Sequence, residues 1–384
     1  MAERPHICLI APLVFPVLTG DRNLKVIGGA EVQQNFIARG LRAAGYPVSI
    51  LTGDFGQPDD YEFDGLRVLK VRQQGHTFPV LRYFHPRMTS IWSAMRRANA
   101  DIYYQRCAGV NTFIAGLYAK THGKHFVYAA AHDLDLDRPR TREIFPGSSG
   151  WRDLPIYQAG LKMADVIIAQ HSGQVEACRR WHRREAEWIP SGYVPPTSAR
   201  CEPDGVVLWV STLRQWKRPE LFLKLAQSLP NLQFRMVGGA SMAEGDRSAK
   251  GFFSEIESAA RALPNVEFVG FVPYQEVERH FDEASLFVNT SDYEGFPNTF
   301  LQAWARGIPT VSFVNCGARD AHGPIGVVAG DLNEMQMAVA HFAADRSAWL
   351  EEHTRCSQYF HANHAMPAVI TRYRALFDRL AVPA

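Results

Sequence analysis

The run Ser291-Asp292-Tyr293-Glu294-Gly295-Phe296-Pro297-Asn298-Thr299-Phe300-Leu301-Gln302 sets a carboxylate in a glycine-containing turn just before an apolar helical stretch. An ionised carboxylate held there suits hydroxyl groups, because it accepts charge-assisted hydrogen bonds. Leu286-Phe287-Val288-Asn289 before it reads as a buried parallel strand, Pro297 suits the first helical turn, and Gly307 suits its stop. A strand, a tight turn and a helix start leave unpaired N–H groups and the positive end of a helix dipole together, which suits a phosphate. Taken alone, the segment is also an ordinary turn with an exposed Glu. Arg214, Lys217 and Arg218 follow the apolar run Val207 to Val210. Cations at a helix start are locally unfavourable, so the cluster leans toward an anionic ligand over a solvated helix start.

Two further places carry chemistry. His132 follows the apolar run Phe126 to Ala130, and it opens His132-Asp133-Leu134-Asp135-Leu136-Asp137. The Asp-x-Asp of Asp133 and Asp135 offers oxygen ligands of the kind magnesium or manganese takes, or else forms a solvated acidic loop. Gly28-Gly29-Ala30-Glu31 opens the first long helix, where glycines let a ligand approach the backbone. Neither this loop nor Gly238-Gly239 has the G-x-G-x-x-G spacing, so a nicotinamide dinucleotide has little support.

In this order along the chain, the segments resemble the retaining GT-B glycosyltransferases of family four, the group 1 glycosyl transferases. Their signature places two Glu residues on either side of seven others, with S-x-x-E-G-F before and an A-x-G-x-P run after. Glu294 matches the first Glu, and Gln302 stands at the second. Gly28-Gly29-Ala30-Glu31, His132, Lys217 and Val269-Gly270-Phe271-Val272 match further family segments, so the resemblance covers most of the chain. Thr212 stands at a family Arg position, with Arg214 close by.

The resemblance implies a sugar transfer from a nucleotide-diphosphate sugar to a hydroxyl, with retention and without a metal or other cofactor. It implies catalytic roles for Glu294 at the donor sugar, Lys217 at the leaving diphosphate and His132 at the donor sugar. It assigns donor binding to Gly28, Gly29, Arg214, Gly239, Phe271, Val272, Gly295, Phe296, Pro297, Asn298 and Gln302. A Gln accepts with one oxygen and donates with one nitrogen, whereas the family's Glu only accepts from the ribose, so the ribose is weakly or differently held here. A noncatalytic nucleotide-sugar-binding protein is the alternative that Thr212 and Gln302 suggest. A metal-dependent GT-A-like transferase using Asp133 and Asp135 is a further alternative, and a GT-B epimerase a distant one.

Positioning these residues takes two alternating sets of strands and helices. His6 to Pro12, Pro47 to Thr52, Leu66 to Val71, Ile102 to Gln105, Lys124 to Ala131 and Val166 to Gln170 read as strands, with helical periodicity over Ala30 to Ala44 and Asn111 to His122. Such alternation predicts a parallel sheet covered on both faces. The pattern restarts after Ile189-Pro190-Ser191-Gly192-Tyr193-Val194-Pro195-Pro196. Val206 to Ser211, Gln233 to Val237, Val266 to Val269, Leu286 to Asn289 and Thr310 to Phe313 form the second set. Two doubly wound α/β domains in tandem are expected, with a cleft at the carboxyl ends of their sheets. The resemblance names this architecture GT-B, two Rossmann-like domains facing a cleft, and implies that residues 1–193 form the acceptor-binding domain, residues 194–365 the nucleotide-sugar domain, and residues 366–384 a helix crossing back to the first.

The 384 residues are 46% hydrophobic, ample for two cores. A net charge of +2 argues against a nucleic-acid partner and toward small molecules; the resemblance implies that these are the nucleotide-sugar donor and a sugar, lipid-linked or small hydroxyl acceptor. Six scattered cysteines without C-x-x-C pairs suit a reduced, cytoplasmic protein. Ile7 to Leu18 lacks the basic flank and cleavage site of a signal peptide, and no run is long enough to span a bilayer. The basic and aromatic segment Leu81-Arg82-Tyr83-Phe84-His85-Pro86-Arg87-Met88, continuing through Trp92, Met95, Arg96 and Arg97, suits either peripheral contact with the inner face of a membrane or an ordinary surface helix.

Overall fold

Alternate residues of the short apolar runs enter two different cores, as strands buried on both faces require. The computed structural model describes residues 4–20, 28–72, 83–145, 150–195, 197, 201, 203–240 and 247–382. Contacts divide the chain into two units, Met1–Gly192 with Met366–Ala384, and Tyr193–Ala365.

The first unit runs β1 (Ile7–Ile10), α1 (Phe15–Thr19), α2 (Gly29–Ala43), β2 (Val48–Thr52), β3 (Asp60–Phe63), β4 (Leu66–Lys70), α3 (Thr89–Ala98), β5 (Ile102–Arg106), α4 (Val110–Thr121), β6 (His125–Ala129), α5 (Gly150–Met163), β7 (Val166–Ala169), α6 (Ser172–His182) and β8 (Glu187–Trp188). Its sheet has the order β3-β4-β2-β1-β5-β6-β7-β8. Ile7, Leu9, Ile50, Tyr104 and Val127 face a core shared with α2. Cys8, Ile10, Leu51, Tyr103 and Phe126 face a second core shared with α3, α4 and α5.

The sheet is not wholly parallel, contrary to the alternation argument: β3 pairs antiparallel with β4 at the edge. Asp64 and Gly65 between them both have positive φ, at 52° and 73°, the geometry of a two-residue hairpin turn. The polar Asp60 and Glu62 alternate with Tyr61 and Phe63, which pack on the core, so this strand is short and half-polar rather than an apolar run.

The second unit runs β9 (Val206–Val210), α7 (Pro219–Ser228), β10 (Phe234–Val237), α8 (Arg247–Arg261), β11 (Val266–Gly270), α9 (Tyr274–Asp282), β12 (Ala284–Asn289), α10 (Asn298–Trp304), β13 (Thr310–Ser312), β14 (Arg319–Asp320), β15 (Gly323–Pro324), β16 (Val327–Val328), α11 (Leu332–Ala344) and α12 (Arg346–Asn363). Its main sheet is parallel, in the order β11-β10-β9-β12-β13-β16. Pro297 precedes α10 as its N-cap with ψ 123°, not inside the first turn. Gly307, at φ 74°, follows the helix end in the left-handed region that a side chain would strain.

After α12 the chain returns to the first unit as α13 (Met366–Ala381), whose Val369, Tyr373, Leu376 and Phe377 lie in the α2 core. Among the described residues no helix is long and apolar enough to cross a membrane.

Candidate functional site

In each sheet the strand order reverses beside the strand that begins the unit, between β1 and β5 in the first and between β9 and β12 in the second. Open parallel sheets bind ligands outside the carboxyl ends of the strands at such a reversal. The loops after β9 and β12 carry Lys217 and Glu294, and the second unit brings these two together: Lys217 Nζ donates to Glu294 Oε1 in an ion pair. The side chains are 17% and 16% exposed, so each charge is largely withdrawn from water yet still reachable.

The backbone holds the pair in register. Trp209 at the end of β9 donates Nε1–H to Thr290 Oγ1 at 3.0 Å, and Thr290 in turn donates to the Lys217 carbonyl at 2.8 Å. Asp292 N–H reaches the Trp216 carbonyl at 2.8 Å. Ser291 Oγ donates to Glu294 Oε1 at 2.8 Å, and the Asn289 side chain accepts the Ser291 N–H at 2.9 Å. The Glu294 carboxylate is therefore oriented by the loop that presents it. Arg214 lies over the Trp216 ring at 4.9 Å, and Trp216 stacks on Tyr293 at 6.1 Å. Arg218 turns outward to Glu220 and Asp292.

The other expected donor residues of this unit separate by what they can offer. Gly239 and Phe271 lie near the ends of neighbouring strands, with the Gly239 carbonyl accepting from Leu213 N–H at 2.9 Å and the Phe271 ring largely exposed. Val272 follows it, half-buried. Gly295 and Pro297 are buried and Asn298 is half-buried. Phe296 turns its ring inward against Trp304 and His364, at 6.0 and 4.7 Å, so only its backbone is left for a ligand. Gln302 is 3% exposed and donates Nε2–H to Glu278 Oε1 at 2.8 Å.

In the first unit Gly28 caps α2 and Gly29 begins it. The anion at this helix start is the chain's own Glu31: burial pushes its carboxyl up, opposed by hydrogen bonds from the Glu31 and Gly28 backbone and by the Arg106 charge. The N–H groups of Gly28 and Glu31 are thus answered by a carboxylate of the chain itself. Gln33, one turn on, holds both the N–H and the carbonyl of Gly192, at 2.9 and 2.8 Å.

His132 accepts the Leu134 N–H on Nδ1 at 3.1 Å, which makes Nε2 the ring's own donor. The two carboxylates of the Asp-x-Asp do not converge. Asp133 Oδ1 accepts from His171 Nε2 at 2.7 Å and from Gln174 at 2.9 Å; burial raises its carboxyl, and these partners outweigh that and hold it below its ordinary value. Asp135 is buried and accepts the N–H groups of Ala131 and His132 at 2.7 and 3.1 Å, with burial raising its carboxyl. Asp135 thus braces the loop that carries His132. Among the described residues no group of three His, Cys, Asp or Glu side chains is arranged to hold a metal.

The proposed membrane segment begins at Leu81 and Arg82, outside the described residues. Its continuation in α3 turns Ile91, Ala94 and Met95 into the core, packs Trp92 on Tyr118 at 5.0 Å, and ties Arg97 to the Asp59 and Lys70 carbonyls. The surface-helix alternative fits these contacts.

Sequence reading missed Glu278 and Arg106. Arg106 closes β5 almost wholly buried, reaching Tyr104 and Ser191 at 3.4 and 3.3 Å, and its signal was a cation ending a strand whose other residues are buried.

The Glycosyl transferase 4-like domain matches residues 28–192, and Glycosyl transferases group 1 matches residues 204–345. Mannosylfructose-phosphate synthase of Agrobacterium fabrum is 26% identical over 354 residues, 82% of this chain and 77% of that protein. Lipopolysaccharide 1,6-galactosyltransferase of Salmonella typhimurium is 26% identical over 215 residues, 52% of this chain and 53% of that protein. Among solved structures, sucrose-phosphate synthase from Thermosynechococcus elongatus superposes with a TM-score of 0.74 at 17% identity, covering 98% of this chain and 99% of that one. HepE of Anabaena, solved with UDP and glucose, gives 0.73 at 16% identity, covering 98% and 100%. The two family matches divide where the two units divide and together take in most of the sequence: the chain belongs to the group 1 glycosyltransferases and has the GT-B fold.

Proposed function

We propose that this chain transfers a sugar from a nucleoside-diphosphate sugar to a hydroxyl acceptor with retention at the sugar carbon, and that it does so without a metal ion. The observation that carries this is the Lys217–Glu294 pair, a cation and an oriented carboxylate held together at the strand-order reversal of the second unit. Glu294 accepts a hydroxyl of the donor sugar in a charge-assisted hydrogen bond. Lys217 turns to the diphosphate and offsets the charge that grows on it as the glycosidic bond breaks. The leaving phosphate oxygen takes the acceptor's proton on the same face of the sugar, so no side chain acts as a nucleophile. His132 enters through the resemblance alone, as a donor to the sugar from Nε2.

HepE was solved with UDP-glucose, which makes that donor the first to test, followed by other uridine, guanosine and adenosine diphosphate sugars. Relatives named for O-antigen and lipopolysaccharide synthesis make glycan and glycolipid hydroxyls the first acceptors. The experiment is release of nucleoside diphosphate from each donor with an acceptor mixture, with the anomeric configuration of product read by NMR. Inverted product would overturn retention. Binding of a nucleotide sugar without release across the panel would instead support the noncatalytic alternative.

A further inference from the structure

Gln302 occupies the place where the resemblance expects a carboxylate, and a carboxylate does stand beside it, on another helix. Glu278 of α9 accepts Gln302 Nε2–H on Oε1 at 2.8 Å, and on Oε2 it accepts Tyr193 O–H at 2.6 Å and pairs with Arg306 at 3.0 Å. Arg306 is held between two acids of α9, since its Nε also pairs with Asp282 at 2.7 Å; its side chain is 0% exposed. The Arg306 Nη1–H group further donates to the Gln302 carbonyl at 3.1 Å. One buried cation thus faces two carboxylates, and a third at position 302 would add like charge within hydrogen-bond distance of Glu278, which is strongly unfavourable out of water.

An amide is planar, with the nitrogen and the oxygen on opposite arms. Glu278 is acceptor-only when ionised, so it fixes which arm of Gln302 it receives. The Gln302 oxygen is then turned away from Glu278, and no donor among the described residues meets it, although the residue is only 3% exposed. We propose that Glu278 is a positioning residue that holds the Gln302 amide with its oxygen toward a ribose hydroxyl of the donor. This deepens the nucleotide-sugar reading above and rests on it. The chain keeps an acceptor at position 302 while the negative charge sits one helix away, neutralised by Arg306.

The relationship predicts opposite fates for the single and the paired exchanges. In Glu278→Gln the new amide must keep its oxygen toward Tyr193 and Arg306, both donors, so its nitrogen faces Gln302. Gln302 must then flip, and its outward arm becomes a donor. In Gln302→Glu two carboxylates confront each other. In the double exchange, residue 278 still gives oxygen to Tyr193 and Arg306 and gives its nitrogen to the carboxylate at 302, whose other oxygen faces outward again.

The test uses the full chain, UDP as probe with ADP and GDP beside it, titration calorimetry for Kd, and melting temperature without nucleotide. Expected in Glu278→Gln are a loss of affinity of about five- to tenfold, the scale of one net hydrogen bond, and a lower melting temperature, because the buried Arg306 keeps only Asp282 of its two acids. Gln302→Glu should lose both affinity and melting temperature, and the double exchange should recover both. Wild-type affinity in Glu278→Gln, or a double exchange no better than the worse single one, overturns the inference while leaving the nucleotide reading intact. A wild-type chain that binds none of the three nucleotides overturns that reading, and this inference with it.

Discussion

Lys217 Nζ and Glu294 Oε1 meet in an ion pair that joins the loop following β9 to the loop following β12, 77 residues apart in sequence. Each neutralises the other in the absence of ligand. On the proposed function, the diphosphate and the hydroxyls of the donor are the partners to which Lys217 and Glu294 respectively turn. Because removing one partner leaves the other partly buried and unpaired, the two mutants below differ in what they expose.

Lys217→Ala should reduce turnover by roughly a hundredfold or more, the scale of losing one group that stabilises developing charge. The measurement is steady-state release of nucleoside diphosphate at saturating donor. Turnover close to the wild type would remove Lys217 from the leaving group.

Glu294→Gln keeps an oxygen for Ser291 and removes the charge that Lys217 answers. Turnover should fall steeply, because a neutral amide makes a weaker bond to a sugar hydroxyl than an ionised carboxylate does. The melting temperature of the unit Tyr193–Ala365 should fall by only about 2–4 °C, corresponding to about 1 kcal/mol in a folding unit of that size. A large melting loss with normal turnover in the folded fraction would make Glu294 a brace for its loop.

Much of the frame was legible because its signals are local. Runs such as Ile7-Cys8-Leu9-Ile10 and Phe126-Val127-Tyr128-Ala129 are apolar on both faces and too short for a buried helix, which reads as buried parallel strands. The strand β3 escaped because half its residues are charged, although Asp64-Gly65 beside it is a hairpin signal. At the site, the turn around Glu294 and the cation cluster around Lys217 are visible locally and their expected roles come from the resemblance, but their contact spans 77 residues and no local pattern encodes it. Glu278 was invisible for the same reason: its meaning comes from Gln302, 24 residues on. Asp135 left two readings open, because spacing alone cannot tell a metal ligand from a carboxylate that caps backbone N–H groups.

Transfer should be insensitive to chelator. The positive charge in the proposed site is Lys217, and Asp133 and Asp135 are engaged with His171, Gln174 and backbone N–H groups. Rates with EDTA should match those with added manganese or magnesium. Abolition by EDTA with recovery on adding manganese would overturn metal independence.

A pH-dependent contribution to stability sits away from these loops, in the β14–β15 hairpin. Arg355 of α12 donates Nε–H and Nη2–H to the two Asp320 oxygens at 3.0 and 2.9 Å, and its Nη1–H group pairs with Glu352 at 2.6 Å. The Arg355 hydrogen bonds hold the Asp320 carboxyl down at about 2, below its ordinary 3.8, with the His322 backbone N–H assisting. The folded state therefore binds the proton less readily than the unfolded chain, and stability rises with pH across that interval. The contribution is fully present above about 4 and is lost as pH falls toward about 2. Asp320→Asn should lower the melting temperature by roughly 2–4 °C at neutral pH, where the ionised pair exists only in the wild type. The gap should narrow as pH falls below 4 and close near 2, because the wild-type carboxyl is then protonated as well. A gap that stays constant from pH 7 to pH 3 would mean that the Asp320→Asn variant loses packing or turn geometry, and that the Arg355 ion pair adds nothing to stability.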